Sequence, residues 1–427
     1  MRLLFSSLFI GLLSLILSSC NSKNAEVKSS SDINASDILG DPAYQAISYG
    51  GYRQTTRDIQ PTMEELKDDM KLLAAMDVKL LRTYNVSLAQ ASNLLQAIRE
   101  LKEADPEFEM YVMLGAWINC ENAFSDKTPN HDKEDEAANT AEIARAVELT
   151  NEYADIVKII AVGNEAMVKW AASYYVQPGV ILKWVNHLQE LKQNGELPAD
   201  LWITSSDNFA SWGGGGEEYH VEDLTALIKA VDFLSVHTYP MHDSHYNADF
   251  WGVLESEADL DKAGQIEAVM DRSLQYAQNQ YQRVVDYMKA QGVDKPVHIG
   301  ETGWASFSGG HYGNDGSKAC DEYKEGLFYQ KMRDWTNESN ISCFYFEAFD
   351  EPWKGGDSPG DSEKHFGLFT VDGQAKYAIW DLVDARTFDG LSRDGQPITK
   401  SLDGDEKKVF DLSQIPETKS ELILTNF

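Results

Sequence analysis

Two glutamates in this chain stand where apolar runs stop. Val157-Lys158-Ile159-Ile160-Ala161-Val162-Gly163 ends at Asn164-Glu165, and Val297-His298-Ile299-Gly300 ends at Glu301-Thr302-Gly303-Trp304. The Asn-Glu dipeptide alone says little, because it recurs at Asn151-Glu152 and Asn337-Glu338 inside helical patterns. Only Asn164-Glu165 follows directly on an apolar strand. A polar residue that closes a strand of a parallel barrel projects at the face where active sites lie. Two carboxylates facing one cleft can divide a reaction between them. One stays protonated and assists a leaving oxygen, while the other stays ionised and attacks a carbon. Cleavage of a glycosidic bond makes that demand.

The elements that must position these groups alternate along the chain. Eight short apolar, β-branched or aromatic runs, at 46–49, 78–84, 108–117, 157–163, 202–206, 233–239, 296–300 and 342–346, are each followed by a helical pattern. Several are apolar at nearly every position, as strands buried on both faces of a parallel sheet are. Thr62 and Glu65 have capping-box spacing before Leu66, Met70, Leu73 and Ala74. Pro178 opens and Gly195 closes a helix carrying Ile181, Trp184, Val185 and Leu188. Further helices are predicted over 263–290, 323–335 and 374–385. Eight β-then-α units predict an α/β fold, a (β/α)8 TIM barrel over 41–386, with strands four and seven nearly opposite. Residues 387–427 read as a short C-terminal extension packed on that barrel.

The chain has 427 residues, with 43% hydrophobic and 25% charged, enough to build a real core. The net charge of −32 repels phosphates and acidic headgroups, which excludes nucleic acid and electrostatic docking on a membrane. A basic start and an apolar run from Leu3 to Leu17 precede Leu17-Ser18-Ser19-Cys20. That pattern predicts a bacterial lipoprotein signal over 1–19, with Cys20 lipidated, rather than a plain signal or a short membrane anchor. Ser, Asn and Lys then dominate, so 20–40 is predicted to be a flexible tether. The expectation is an exported protein on a bacterial membrane, at the cell surface or in the periplasm, touching lipid through its N-terminus alone. Cys120, Cys320 and Cys343 remain, an odd set in which one disulfide between some pair stays open. No Cys/His cluster has metal spacing, and His242 and His245 read as surface loop residues, so no metal is predicted. Gly213-Gly214-Gly215-Gly216 lacks the residues of a phosphate loop and is predicted to be a mobile loop beside the cleft.

At this point the chain resembles a known family. Val162-Gly163-Asn164-Glu165 and Gly300-Glu301-Thr302-Gly303-Trp304 are similar to motifs of family 17 glycoside hydrolases, the β-1,3-glucanases. The likeness extends to Ile47-Ser48-Tyr49-Gly50, Leu81-Arg82-Thr83-Tyr84, the stretch from Phe346-Glu347 to Trp353-Lys354, and His365-Phe366-Gly367-Leu368-Phe369. These motifs fall in order over roughly 45–370. The resemblance implies a retaining enzyme working without metal or cofactor on β-1,3-glucan of the laminarin kind. It makes Glu165 the general acid/base, Glu301 the nucleophile, and Glu351 and Lys354 supporting polar residues. Ala305 follows Trp304 where the family often has Pro, and 241–261 exceeds a minimal connection. Both departures bear on the subsites.

Position suggests the remaining site residues. Asn164 could bond a sugar 2-hydroxyl. Tyr84, Trp117, Tyr239, Trp304 and Trp353 end strands, where a pyranose face could stack on them or where they simply pack the rim. His237 closes strand six and could bond the nucleophile or substrate, or serve structure alone. The expected partner is the glucan, bound by a monomer. A transglycosylase using a sugar acceptor is the alternative in chemistry, and a non-catalytic glycan-binding lipoprotein is the alternative in class.

Overall fold

Eight parallel strands close on themselves in sequence order. They are β1 (Gln45–Ser48), β2 (Val78–Arg82), β3 (Tyr111–Ala116), β4 (Val157–Asn164), β5 (Trp202–Asn208), β6 (Leu234–His237), β7 (Val297–Gly303) and β8 (Cys343–Phe346). The computed structural model describes residues 33–423. Every predicted strand is present, and β3 is buried along its whole length, as its apolar run requires. Around the barrel lie α1 (Met63–Ala75), α2 (Ala89–Ala104), α3 (Glu136–Glu152), α4 (Pro178–Gln193), α5 (Glu222–Ala230), α6 (Lys262–Ala290), α7 (Glu322–Glu338) and α8 (Trp380–Asp384). The Thr62–Glu65 capping box forms: the Glu65 amide donates to the Thr62 hydroxyl, and the Thr62 amide donates to the Glu65 carboxylate.

Three expectations need correction. The eighth helix is far shorter than 374–385, because Gly373 takes φ +82° and Ala375 donates to Thr399 O, ending the turn region in bridges rather than a helix. Gly213 and Gly214 are buried in a wide helical turn at Ala210–Gly214, and are not a mobile loop. A Cβ at Gly213 would lie 2.1 Å from the Tyr287 ring of α6, so the glycine lets helix and turn meet.

The third correction concerns the tether. Residues 1–32, with the predicted signal and Cys20, lie outside the described residues, but 33–40 is not a loose linker. Ala35–Ile38 form a helical turn, and Ile33, Ala35, Ile38 and Leu39 are buried. They pack on Ala46, Leu80, Tyr111, Met113, Ile159, Phe233 and Phe344, the inward-facing residues low in the barrel. Fully burying each Ile or Leu is worth about 1.5–3 kcal/mol, more than a polar average over the segment suggests.

Residues 386–423 run along the outside. Buried Arg393 pairs with buried Asp69 of α1 at 3.0 Å, and Thr418–Lys419 pairs with Val253–Leu254. Cys120, Cys320 and Cys343 are buried free thiols. Among the described residues no helix is long and apolar enough to cross a membrane, and no group of residues could hold a metal.

Candidate active site

Register shifts aim both glutamates. β4 slips against β5 between Ala161 and Asn164, with Gly163 at φ +80° and Glu165 itself at φ +47°. β7 slips against β6 between Ile299 and Glu301, which places Glu301 in register with His237. Such irregularities redirect side chains that regular pleating would send outward. Gly300 is required here: a Cβ would stand 2.0 Å from Ser235 Oγ and 2.5 Å from Ser206 Oγ.

Glu301 is nearly buried and fully ligated. Arg82 Nη1 donates to its Oε2, Tyr84 OH donates to the same oxygen at 2.8 Å, and Tyr239 OH donates to Oε1 at 2.7 Å. Burial alone would raise this carboxyl, but its polar neighbours outweigh it, Arg82 and the two hydroxyls among them, and hold the group down at about 2. Desolvation drives His237 itself down to about 3, so its ring is neutral at ordinary pH. Arg82 is therefore the charge that keeps Glu301 ionised.

Glu165 has the opposite environment. Burial, then the charges of Glu301 and Asp207, push its carboxyl well above the ordinary range. Its Oε1 lies 3.2 Å from His237 Nδ1, and His237 Nε2 lies 2.8 Å from Ser206 Oγ. A neutral ring with its proton on Nε2 donates to Ser206 and leaves Nδ1 to accept from protonated Glu165. Two carboxyls with protonation states driven apart can divide the work of an acid and a nucleophile.

Not every predicted residue has the expected place. Asn164 is at the site, its Oδ1 accepting from Arg82 Nη2 at 2.5 Å. Tyr84 and Tyr239 act through their hydroxyls on Glu301. Trp304 is a correction: it is wholly buried, donates to Ala319 O, and packs on Phe328, so no sugar can stack on it. Its strand carries it past the rim into the layer beneath α7. Trp117 is half-buried beside Tyr174, with ring centroids 5.0 Å apart, and exposed Phe124 stacks on Tyr174. Trp353 carries Arg57 across one face and donates to Glu351. Lys354 bonds both oxygens of Glu347 at 2.8 Å and lies 3.2 Å from Glu351, so these residues form a buried polar cluster.

Sequence reasoning missed Arg82, Ser206 and Asp207 as site residues. The signal was present for each. Counting by twos from inward Leu80 reaches Arg82, and strand five ends in the polar run Thr204-Ser205-Ser206-Asp207-Asn208.

A family model, the BtgE/BtgC glycoside hydrolase domain, matches residues 46–367. A solved structure described as an endo-laminarinase from Formosa Hel1_33_131 is 62% identical, with a TM-score of 0.90 over 92% of this chain and 99% of that one. The β-1,3-glucanosyltransferase of glycoside hydrolase family 17 from Rhizomucor miehei shares the fold at 22% identity and a TM-score of 0.54, over 79% of this chain and 96% of that one. The probable glucan endo-1,3-β-glucosidase btgC of Aspergillus flavus is 24% identical over 360 residues, 78% of this chain and 44% of that protein. The chain spans less than half the length of the first curated relatives it matches. A family match over residues 46–367, on a closed barrel with two carboxyls of opposite environment at the ends of β4 and β7, makes this chain a member of the BtgE/BtgC glycoside hydrolase family.

Proposed function

We propose that the protein hydrolyses β-1,3-glucan of the laminarin type, within the chain, by double displacement. The observation that carries this reading is the split environment of the two glutamates: Arg82 and two tyrosines around Glu301, burial and negative charge around Glu165. Glu301 attacks the anomeric carbon as Glu165 gives its proton to the departing glucosidic oxygen. The ester so formed is cleaved by a water that loses its proton to Glu165, and Glu301 leaves as a carboxylate. Asn164, with Oδ1 held by Arg82, presents its Nδ2 to the 2-hydroxyl. The endo-laminarinase at 62% identity supports both substrate and endo action.

Two inversions give net retention, so proton NMR of fresh laminarin digests should show the β-anomer first. An α-anomer as first product would rule the mechanism out. A time-resolved product profile separates hydrolysis from transfer, since transfer makes oligosaccharides longer than the substrate.

The proposal extends to place. Leu17-Ser18-Ser19-Cys20 supports lipidation of Cys20 and export, with the enzyme a monomer held on a bacterial membrane by that lipid. Wild type should fractionate with membranes, and Cys20→Ala should lose both the lipid and the cleavage before residue 20. Wild type found wholly soluble and unacylated in a bacterial host would refute this.

A further inference from the structure

Asp207, near the end of β5, is fully buried, and the groups that hold it are neutral donors. Its Oδ2 accepts from the Met167 amide at 2.7 Å, and its Oδ1 accepts from Ser211 Oγ at 2.6 Å and the Asn208 amide at 2.8 Å. Met167 lies two residues beyond Glu165, whose left-handed φ of +47° is a conformation that a side chain rarely keeps without support. Glu165 in turn donates its amide to Ser206 O at 3.0 Å. Strand β5 thus pins the acid's turn at both ends. Burying a carboxylate without a cation is costly, and only a gain elsewhere makes sense of it.

We propose that Asp207 is a positioning residue for the general acid: it latches the backbone turn that carries Glu165 and sets a second negative charge near it. The proposal rests on Glu165 being the acid, as read above. The titratable groups that feel Asp207 are Glu165, Tyr174 and Tyr219. Glu165 is faced besides by Glu301, Arg82, Glu363 and neutral His237. Burial lifts Asp207 to about 6, so its charge is present on the alkaline side, where Glu165 stands to lose its proton.

Asp207→Asn keeps an acceptor and removes the charge. On laminarin the alkaline limb of kcat should move down by about one pH unit, and kcat at neutral pH should fall about tenfold. First-turnover release from an aryl laminaribioside, which needs no acid, should hardly change. Ser211→Ala loosens the latch and keeps the charge. It should lower laminarin turnover about threefold relative to aryl release and leave the limb where it is. A limb unmoved in Asp207→Asn overturns the proposal, as does an equal loss on both substrates. If Asp207→Asn does not fold, an unchanged substrate ratio in Ser211→Ala overturns it instead. Wild type inactive on both substrates would refute the hydrolase reading itself, a separate result.

Discussion

Arg82 and Glu301 form an ion pair sealed inside the barrel, with side chains 1% and 9% exposed. In the proposed mechanism the pair is also a catalytic setting, because a nucleophile must reach the substrate already ionised. Removing one partner of a buried pair strands the other, at a cost of roughly 3–5 kcal/mol. Arg82→Met should therefore unfold at much lower urea than wild type and lose its laminarin activity. The Glu301 carboxyl sits near 2 when folded, against an ordinary 4.5. Stability from the pair is thus full above about pH 4.5 and drains as pH falls toward 2. Urea midpoints measured across that window should converge for wild type and Arg82→Met.

The proposed mechanism requires Glu165 protonated and Glu301 ionised. Because the first is raised and the second lowered, kcat/KM on laminarin should stay high far into acid and fall on the alkaline side as Glu165 loses its proton. The alkaline limb should be absent from first-turnover release of a good aryl leaving group. A limb common to both substrates would place its source elsewhere.

Azide separates the two roles. Glu165→Ala should still form the glycosyl-enzyme from an aryl laminaribioside, accumulate it for want of a base, and turn over again in azide as a β-glycosyl azide. Glu301→Ala lacks the nucleophile and should be inactive on natural and activated substrates alike, giving at most an α-azide. Rescue of Glu301→Ala as the β-product would reverse the assignment.

Tyr239 gives Glu301 Oε1 a hydrogen bond at 2.7 Å, and a bond to a charged group is worth about 1.5–3 kcal/mol. Tyr239→Phe should lower kcat about tenfold or more on laminarin, with fold and melting temperature little changed. Tyr84→Phe should act similarly through Oε2. Loss confined to KM would mean that the hydroxyls hold sugar rather than the nucleophile.

The barrel was legible because its strands are apolar on both faces, so each of the eight runs stands out from the amphipathic helices between them. Glu165 and Glu301 were legible because they stop such runs. Trp304 misled because a strand end reached by a register slip does not keep the direction that simple alternation assigns. Asp207 was overlooked, although its polar run was visible, because its work is done on a backbone amide forty residues away, in the loop that follows β4. The floor helix at Ala35–Ile38 escaped notice because four apolar residues are diluted by polar neighbours. No local pattern reveals which cavity such residues will fill.

That floor helix sets the enzyme's polarity in space. With Ile33 and Ile38 plugging the low end of the barrel, the chain leaves for its N-terminus at the pole opposite the two carboxylates. These residues close that end of the barrel, so the carboxylates are approached from the other. Fusing a bulky domain ahead of Ile33 should therefore leave the approach to Glu165 and Glu301 clear, whereas the same domain inserted in a loop at the carboxylate end should obstruct it.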